Sequence, residues 1–126
     1  MGYPAAGRGR DVIPARGDIL HLAFDPARGR ELTGDHYCLV VSAKAFNKRF
    51  KLAMVCPISS GVAPAAREAG FLVPIMGTGS RLHGSVHCHQ VKALDWEARK
   101  AAFLEKAPPV VVKEVIDRLI AVLEDD

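Results

Sequence analysis

Several absences narrow the class of this chain before any motif is read. No apolar run approaches the roughly 18 residues needed to cross a bilayer, so no transmembrane helix is expected. The first fifteen residues are rich in Gly, Ala, Pro and Arg and carry no apolar segment of the signal-peptide kind, so no secretory signal is expected. There is no Walker loop, no dinucleotide fingerprint, no paired Cys-x-x-Cys and no nucleophile elbow, which leaves the common nucleotide, zinc and serine-hydrolase frameworks without their residues. Cysteine is sparse and odd in number. Cys38, Cys56 and Cys88 lie far apart among apolar or β-forming neighbours, a pattern of reduced, buried thiols in a cytoplasmic protein. Neither sign of charge dominates. Lys and Arg total 17 against 14 Asp and Glu, so the net charge of +3 is only a mild bias toward polyanions.

What is present is one domain's worth of sequence. The chain has 126 residues, of which 49% are hydrophobic and 25% charged, the balance of a globular protein. Residues 1–13 read as a flexible basic lead-in broken by Gly2, Pro4, Gly7 and Gly9, and a single domain is expected over residues 14–126. Strands are expected over 19–24, 37–42, 52–58 and 71–75, with turn chemistry or long polar loops between them. Residues 84–94 alternate as one more strand, and Asp95 is placed to cap a short helix beginning at Trp96. From Pro108 the period changes. Val111, Val115, Leu119 and Val122 recur at three and four residues, with Val112, Ile116, Ile120 and Leu123 alongside, which predicts an amphipathic helix ending near Glu124.

The polar residues that can carry chemistry cluster. His36 ends the long loop of residues 25–35, and His83, His87 and His89 fall on or near one expected strand. On a strand His87 and His89 share a face, about 6–7 Å apart. Such a pair can act as base and acid near neutral pH, can ligate a metal with His83, or can be two ordinary strand residues. Spacing alone leaves all three open. Ser59 and Ser60 end a strand before Gly61, where hydroxyls and amides can hold a phosphate, and Arg28 and Arg30 sit in the long loop.

The order of these segments resembles the MazF/PemK/Kid toxins of bacterial toxin–antitoxin systems. Arg16-Gly17-Asp18-Ile19 resembles that family's strand opening. Residues 24–34 (FDPARGRELTG) are similar to its Asp-Pro-x-x-Gly-x-Glu-x-x-Gly loop. Leu39 to Ser42 followed by Ala45-Phe46-Asn47, Cys56-Pro57-Ile58-Ser59-Ser60, Ala69-Gly70-Phe71, Gly84-x-Val86 with Gln90-Val91, and the C-terminal helix continue the match in order over about residues 14–124. The resemblance implies a mainly β fold: a small Src-homology-3-like barrel of about five to seven strands with a C-terminal helix. It implies a homodimeric, metal-independent endoribonuclease that needs no cofactor. Such enzymes cut single-stranded RNA, mRNA included, by attack of the 2′-hydroxyl on the adjacent phosphate. A cognate acidic antitoxin of the MazE/PemI kind is implied as partner, with operator DNA reached only through it, and no membrane is involved.

Where the family's usual residues are ionisable, this chain has changed their type. His36 replaces the arginine of Gly-x-Arg-Pro, Ser59 replaces a threonine, Arg30 replaces a loop histidine, and His87-Cys88-His89-Gln90 stands where one branch has Arg-Cys-Asp-Gln. The resemblance thus implies a re-tuned site. Arg30 would hold the scissile phosphate, His36 and Ser59 would donate to the phosphorane oxygens, and His87 and His89 would divide the acid and base roles. Arg28, Ser60, Arg67 and Gln90 would contact neighbouring nucleotides. Two other readings are a non-catalytic toxin that binds a protein, as gyrase poisons do, and a metal-binding variant using His83, His87 and His89.

Overall fold

A computed structural model describes residues 13–61 and 63–124, so most of the expected basic lead-in lies outside the described residues. Order reaches at least Ile13, which packs against the core. The elements are β1 (Asp18–Ala23), β2 (Asp35–Val40), α1 (Lys44–Phe50), β3 (Ala53–Ser59), α2 (Pro64–Glu68), β4 (Leu72–Pro74) and β5 (Ser85–His87), then a 3-10 turn (Cys88–Gln90), β6 (Lys92–Leu94), β7 (Ala102–Lys106) and α3 (Pro109–Glu124).

All seven strands join one antiparallel sheet in the order β4-β5-β3-β2-β1-β7, with β6 also on β3. The mainly β class with a C-terminal helix is as expected, but the sheet does not close into a barrel: β4 and β7 remain its two ends. The strand β3 is shared. Its first half, Ala53 to Val55, pairs with β6, and its end, Ile58 and Ser59, pairs with β5. Pro57, which has no amide hydrogen to donate, lies between the two pairing segments, which is how a central strand tolerates it.

Strand alternation sends residues to two cores, one on each face. Ile19, Tyr37, Leu39, Cys56, Ile58, Val86 and Cys88 face one core, and α3 closes it with Val111 and Val115. Leu20, Leu22, Phe24, Cys38, Val40, Val55, Leu94 and Trp96 build the other. Full burial of one such side chain as Phe24 contributes about 1.5–3 kcal/mol. All three cysteines are free thiols and buried. Burial pushes Cys38 and Cys56 far above the ordinary thiol range, and Cys88 up to about 11. Such thiols are inert packing groups.

The C-terminal helix is as expected, over Pro109–Glu124. Val112, Ile116 and Leu119 pack partly on the core, while Ile120, Val122 and Leu123 toward its end are exposed. The expected helix after Asp95 is a single turn. The Asp95 carboxylate accepts from the Ala98 amide at 2.8 Å as a cap does, but the chain turns into the left-handed region at Lys100 and enters β7. Asn47, on α1, is fully buried. Its Nδ2 donates to the Pro14 carbonyl at 2.8 Å and its Oδ1 accepts from Ser42 Oγ at 2.5 Å, so it ties the start of the domain to α1.

Candidate active site

Where β2 begins and β3 ends, a cavity of about 240 Å³ opens to solvent, lined by His21, Asp35, His36, Tyr37, Ile58, Ser59, Ser60 and Leu82. The pairing Tyr37↔Ile58 sets the floor, so Ser59 and Ser60 come off β3 beside the start of β2. Gly84 allows this approach. Its φ is +88°, and a Cβ there would stand 2.6 Å from the Ser59 carbonyl oxygen, which no side chain can accommodate. Ser59 Oγ accepts from the Gly61 amide at 3.0 Å, which leaves its O–H hydrogen to donate elsewhere.

The histidines are brought together, though not as one strand would bring them. The segment expected as a continuous strand over 84–94 breaks at the 3-10 turn, so His87 ends β5 and His89 sits within the turn. Their rings remain neighbours, with centroids 5.6 Å apart. His87 is only 2% exposed, whereas His89 is exposed. A carbonyl only accepts, so His87 Nε2–H donates to the Ser59 carbonyl, at 3.3 Å. Desolvation holds the His87 imidazole below its ordinary pKa, aided by the neighbouring charges of His89 and His36, and burial lowers that of His89 as well. His36 Nε2–H donates to the Thr33 carbonyl at 2.7 Å, and its ring meets Phe24 edge-on at 5.5 Å, so Nδ1 is the nitrogen left for a proton.

Arg28 and Arg30 are exposed on the loop between β1 and β2, and neither guanidinium has a partner among the described residues. Gln90, expected to contact RNA, is half-buried, and its amide engages the loop backbone. Its Nε2 donates to the Arg30 carbonyl at 2.8 Å, and its Oε1 accepts from the Leu32 amide at 3.3 Å. Arg67 lies exposed on α2 and does not line the cavity. Sequence reasoning missed His21, Asp35 and Tyr37. His21 stacks edge-on against Tyr37 at 4.9 Å, and its signal was parity, a histidine sharing the strand face of Ile19. Among the described residues, no three His, Cys, Asp or Glu side chains are arranged to hold a metal ion, and His83 stands exposed, outside the cavity.

Residues 15–123 match the model of the PemK-like, MazF-like toxin of type II toxin–antitoxin systems. The chain belongs to that family. It is 39% identical over 108 residues to the endoribonuclease PemK of Escherichia coli, covering 86% of this chain and 80% of PemK. It is 42% identical over 110 residues to the endoribonuclease toxin ChpB of Escherichia coli strain K12, covering 86% and 93%. The crystal structure of MazF from Deinococcus radiodurans superposes with a TM-score of 0.78 at 32% identity, over 90% of this chain and 98% of that one. A MazE–MazF complex from the same organism gives 0.71 at 30% identity, over 88% and 96%.

Proposed function

We propose that this chain is an endoribonuclease acting on single-stranded RNA in the cytoplasm, the toxin half of a toxin–antitoxin pair. What carries the reading is an open cavity walled by His36, Ser59 and Ser60, the bond from His87, beside His89, to the Ser59 carbonyl, and two loop arginines, Arg28 and Arg30, whose guanidiniums have no partner among the described residues. RNA cleavage by its own 2′-hydroxyl needs a base for that proton, an acid for the leaving oxygen, and donors for the anionic phosphorane. The 2′-oxygen forms a bond to phosphorus, the bond to the 5′-oxygen breaks, and the products are a 2′,3′-cyclic phosphate and a 5′-hydroxyl.

Arg30 holds the phosphate, with Arg28 on the flanking backbone. Ser59 O–H donates to a phosphorane oxygen. His89, exposed, and His36, on the cavity wall, exchange protons with the RNA. His87 is too deeply buried to reach it directly; it orients the His89 ring beside it and fixes the Ser59 carbonyl. Ser60 and Arg67 meet neighbouring nucleotides. The partner is an acidic antitoxin whose flexible segment occupies the RNA site beside Arg28 and Arg30. A second copy of the chain covers the apolar end of α3, where Leu123 is 84% exposed.

The test is incubation with an end-labelled single-stranded RNA in excess chelator. Cleavage with a cyclic-phosphate end, abolished by a 2′-deoxy nucleotide at the cut, is expected. Absence of any cleavage overturns the nuclease reading in favour of a toxin that acts by binding alone, and cleavage that needs added metal overturns the proposed chemistry.

A further inference from the structure

The loop carrying Arg28 and Arg30 is long and polar, and a loop of that kind ordinarily wanders. Here its ends and its middle are tied down. Phe24 N–H donates to the Gly34 carbonyl at 2.8 Å across the loop's base. Arg99 Nη1 donates to the carbonyls of Ala23 and Asp25 at 2.7 and 2.6 Å. At the loop's far side, among the described residues, the only side chain that grips the backbone from another element is Gln90, nearly sixty residues on, which uses both ends of its amide on Arg30 and Leu32. Lys92 adds a looser tie to Glu31, at 3.7 Å. Gln90 can do this because its own base is rigid. It closes a 3-10 turn whose Cys88 is buried in the core and whose first amide donates to the Phe71 carbonyl at 3.0 Å.

We propose that Gln90 is a positioning residue that clamps the backbone on both sides of Glu31 and so fixes where the exposed Arg30 side chain leaves the loop before RNA arrives. The clamp stands on the two hydrogen bonds; its consequence for RNA rests on the nuclease reading above. An arginine on a slack loop binds a phosphate only after the loop is ordered, whereas a clamped one is pre-organised. The two halves of the amide are also separable. The Leu32 amide needs only an acceptor, and the Arg30 carbonyl needs a donor.

Two substitutions use that difference. Gln90→Met keeps the shape and removes both bonds. Gln90→Glu keeps the acceptor for Leu32 and loses the donor to Arg30. Amide hydrogen exchange on the full chain is expected to show Leu32 exchanging at least about tenfold faster in Gln90→Met, near the parent rate in Gln90→Glu, and with Leu39 and Val55 unchanged in both. Affinity for a single-stranded RNA made uncleavable by a 2′-deoxy nucleotide should fall about tenfold in Gln90→Met. In an Arg30→Ala background the same substitution should cost little more, because it acts through Arg30. Unchanged Leu32 exchange in Gln90→Met overturns the clamp. Full additivity with Arg30→Ala overturns the positioning role and makes Gln90 an RNA contact in its own right. A parent chain that binds no RNA defeats the nuclease reading, and Leu32 exchange then decides the clamp by itself.

Discussion

Two regions beside the cavity are built on opposite principles. The region of Ser59, β5 and the 3-10 turn hangs from the apolar core: Val86 and Cys88 are buried on either side of His87, and Gly84 lets the chain pass against the Ser59 carbonyl. The β1–β2 loop has almost no core of its own. Its residues 25–35 are mostly exposed and are held by Gln90 and Arg99, which donate to backbone carbonyls, Gln90 also accepting from the Leu32 amide. The first region therefore shares the stability of the whole sheet, while the second can be loosened without unfolding anything. A site that must admit a polymer gains from having one fixed jaw and one adjustable one.

The harshest way to break this contrast is to disturb the fixed jaw. Gly84→Ala forces a Cβ to within 2.6 Å of the Ser59 oxygen at a positive φ, and about 3 kcal/mol of stability should be lost, from backbone strain plus overpacking. Urea denaturation measures it, and a midpoint equal to the parent's would show that the approach can relax. Damage to the adjustable jaw should look different. Arg30→Ala should leave the urea midpoint unchanged, since the side chain is exposed and has no partner among the described residues, yet lower kcat/KM for RNA by about 100-fold, the scale of removing one charged donor from a transition state.

The gentlest lever is pH, used on the fixed jaw through His87. The native His87 pKa lies below its ordinary value because the imidazole is buried, so the unfolded chain takes up its proton first as pH falls. The stability that this neutral histidine supports is complete above about pH 6.5 and is lost as pH drops through the depressed native value. His87→Gln should flatten the dependence of the urea midpoint between pH 7.5 and 5.5. An equally steep dependence in the variant would assign the effect to other groups.

The framework of the fold was legible because its signals are strong. Short apolar runs bounded by turn residues mark β1, β2 and β3, and the three-four recurrence of Val111, Val115 and Leu119 marks α3. Short elements escaped for physical reasons. Residues 64–68 read as loop because Pro and Ala are equally at home in a turn, and β7 follows a single helical turn that Asp95 caps as it would cap a real helix. The break between β5 and β6 is invisible in the pattern, since Val86 and Cys88 face the core whether or not the strand continues between them. At the site, residue types were readable but burial and partners were not. His87 and His89 look alike in sequence, and only the packing of the 3-10 turn puts one inside and one outside. Gln90 looks like a reader of bases until its amide is found spent on the loop backbone.

The three cysteines suit this molecule to a use of their own. Cys38 belongs to one core, and Cys56 and Cys88 to the other. All are buried and held in the thiol form at neutral pH, so a soluble alkylating reagent reaches them only when the protein opens. The order in which they are labelled is a built-in clock of which side of the sheet lets go first, readable by peptide mass spectrometry on the unaltered chain.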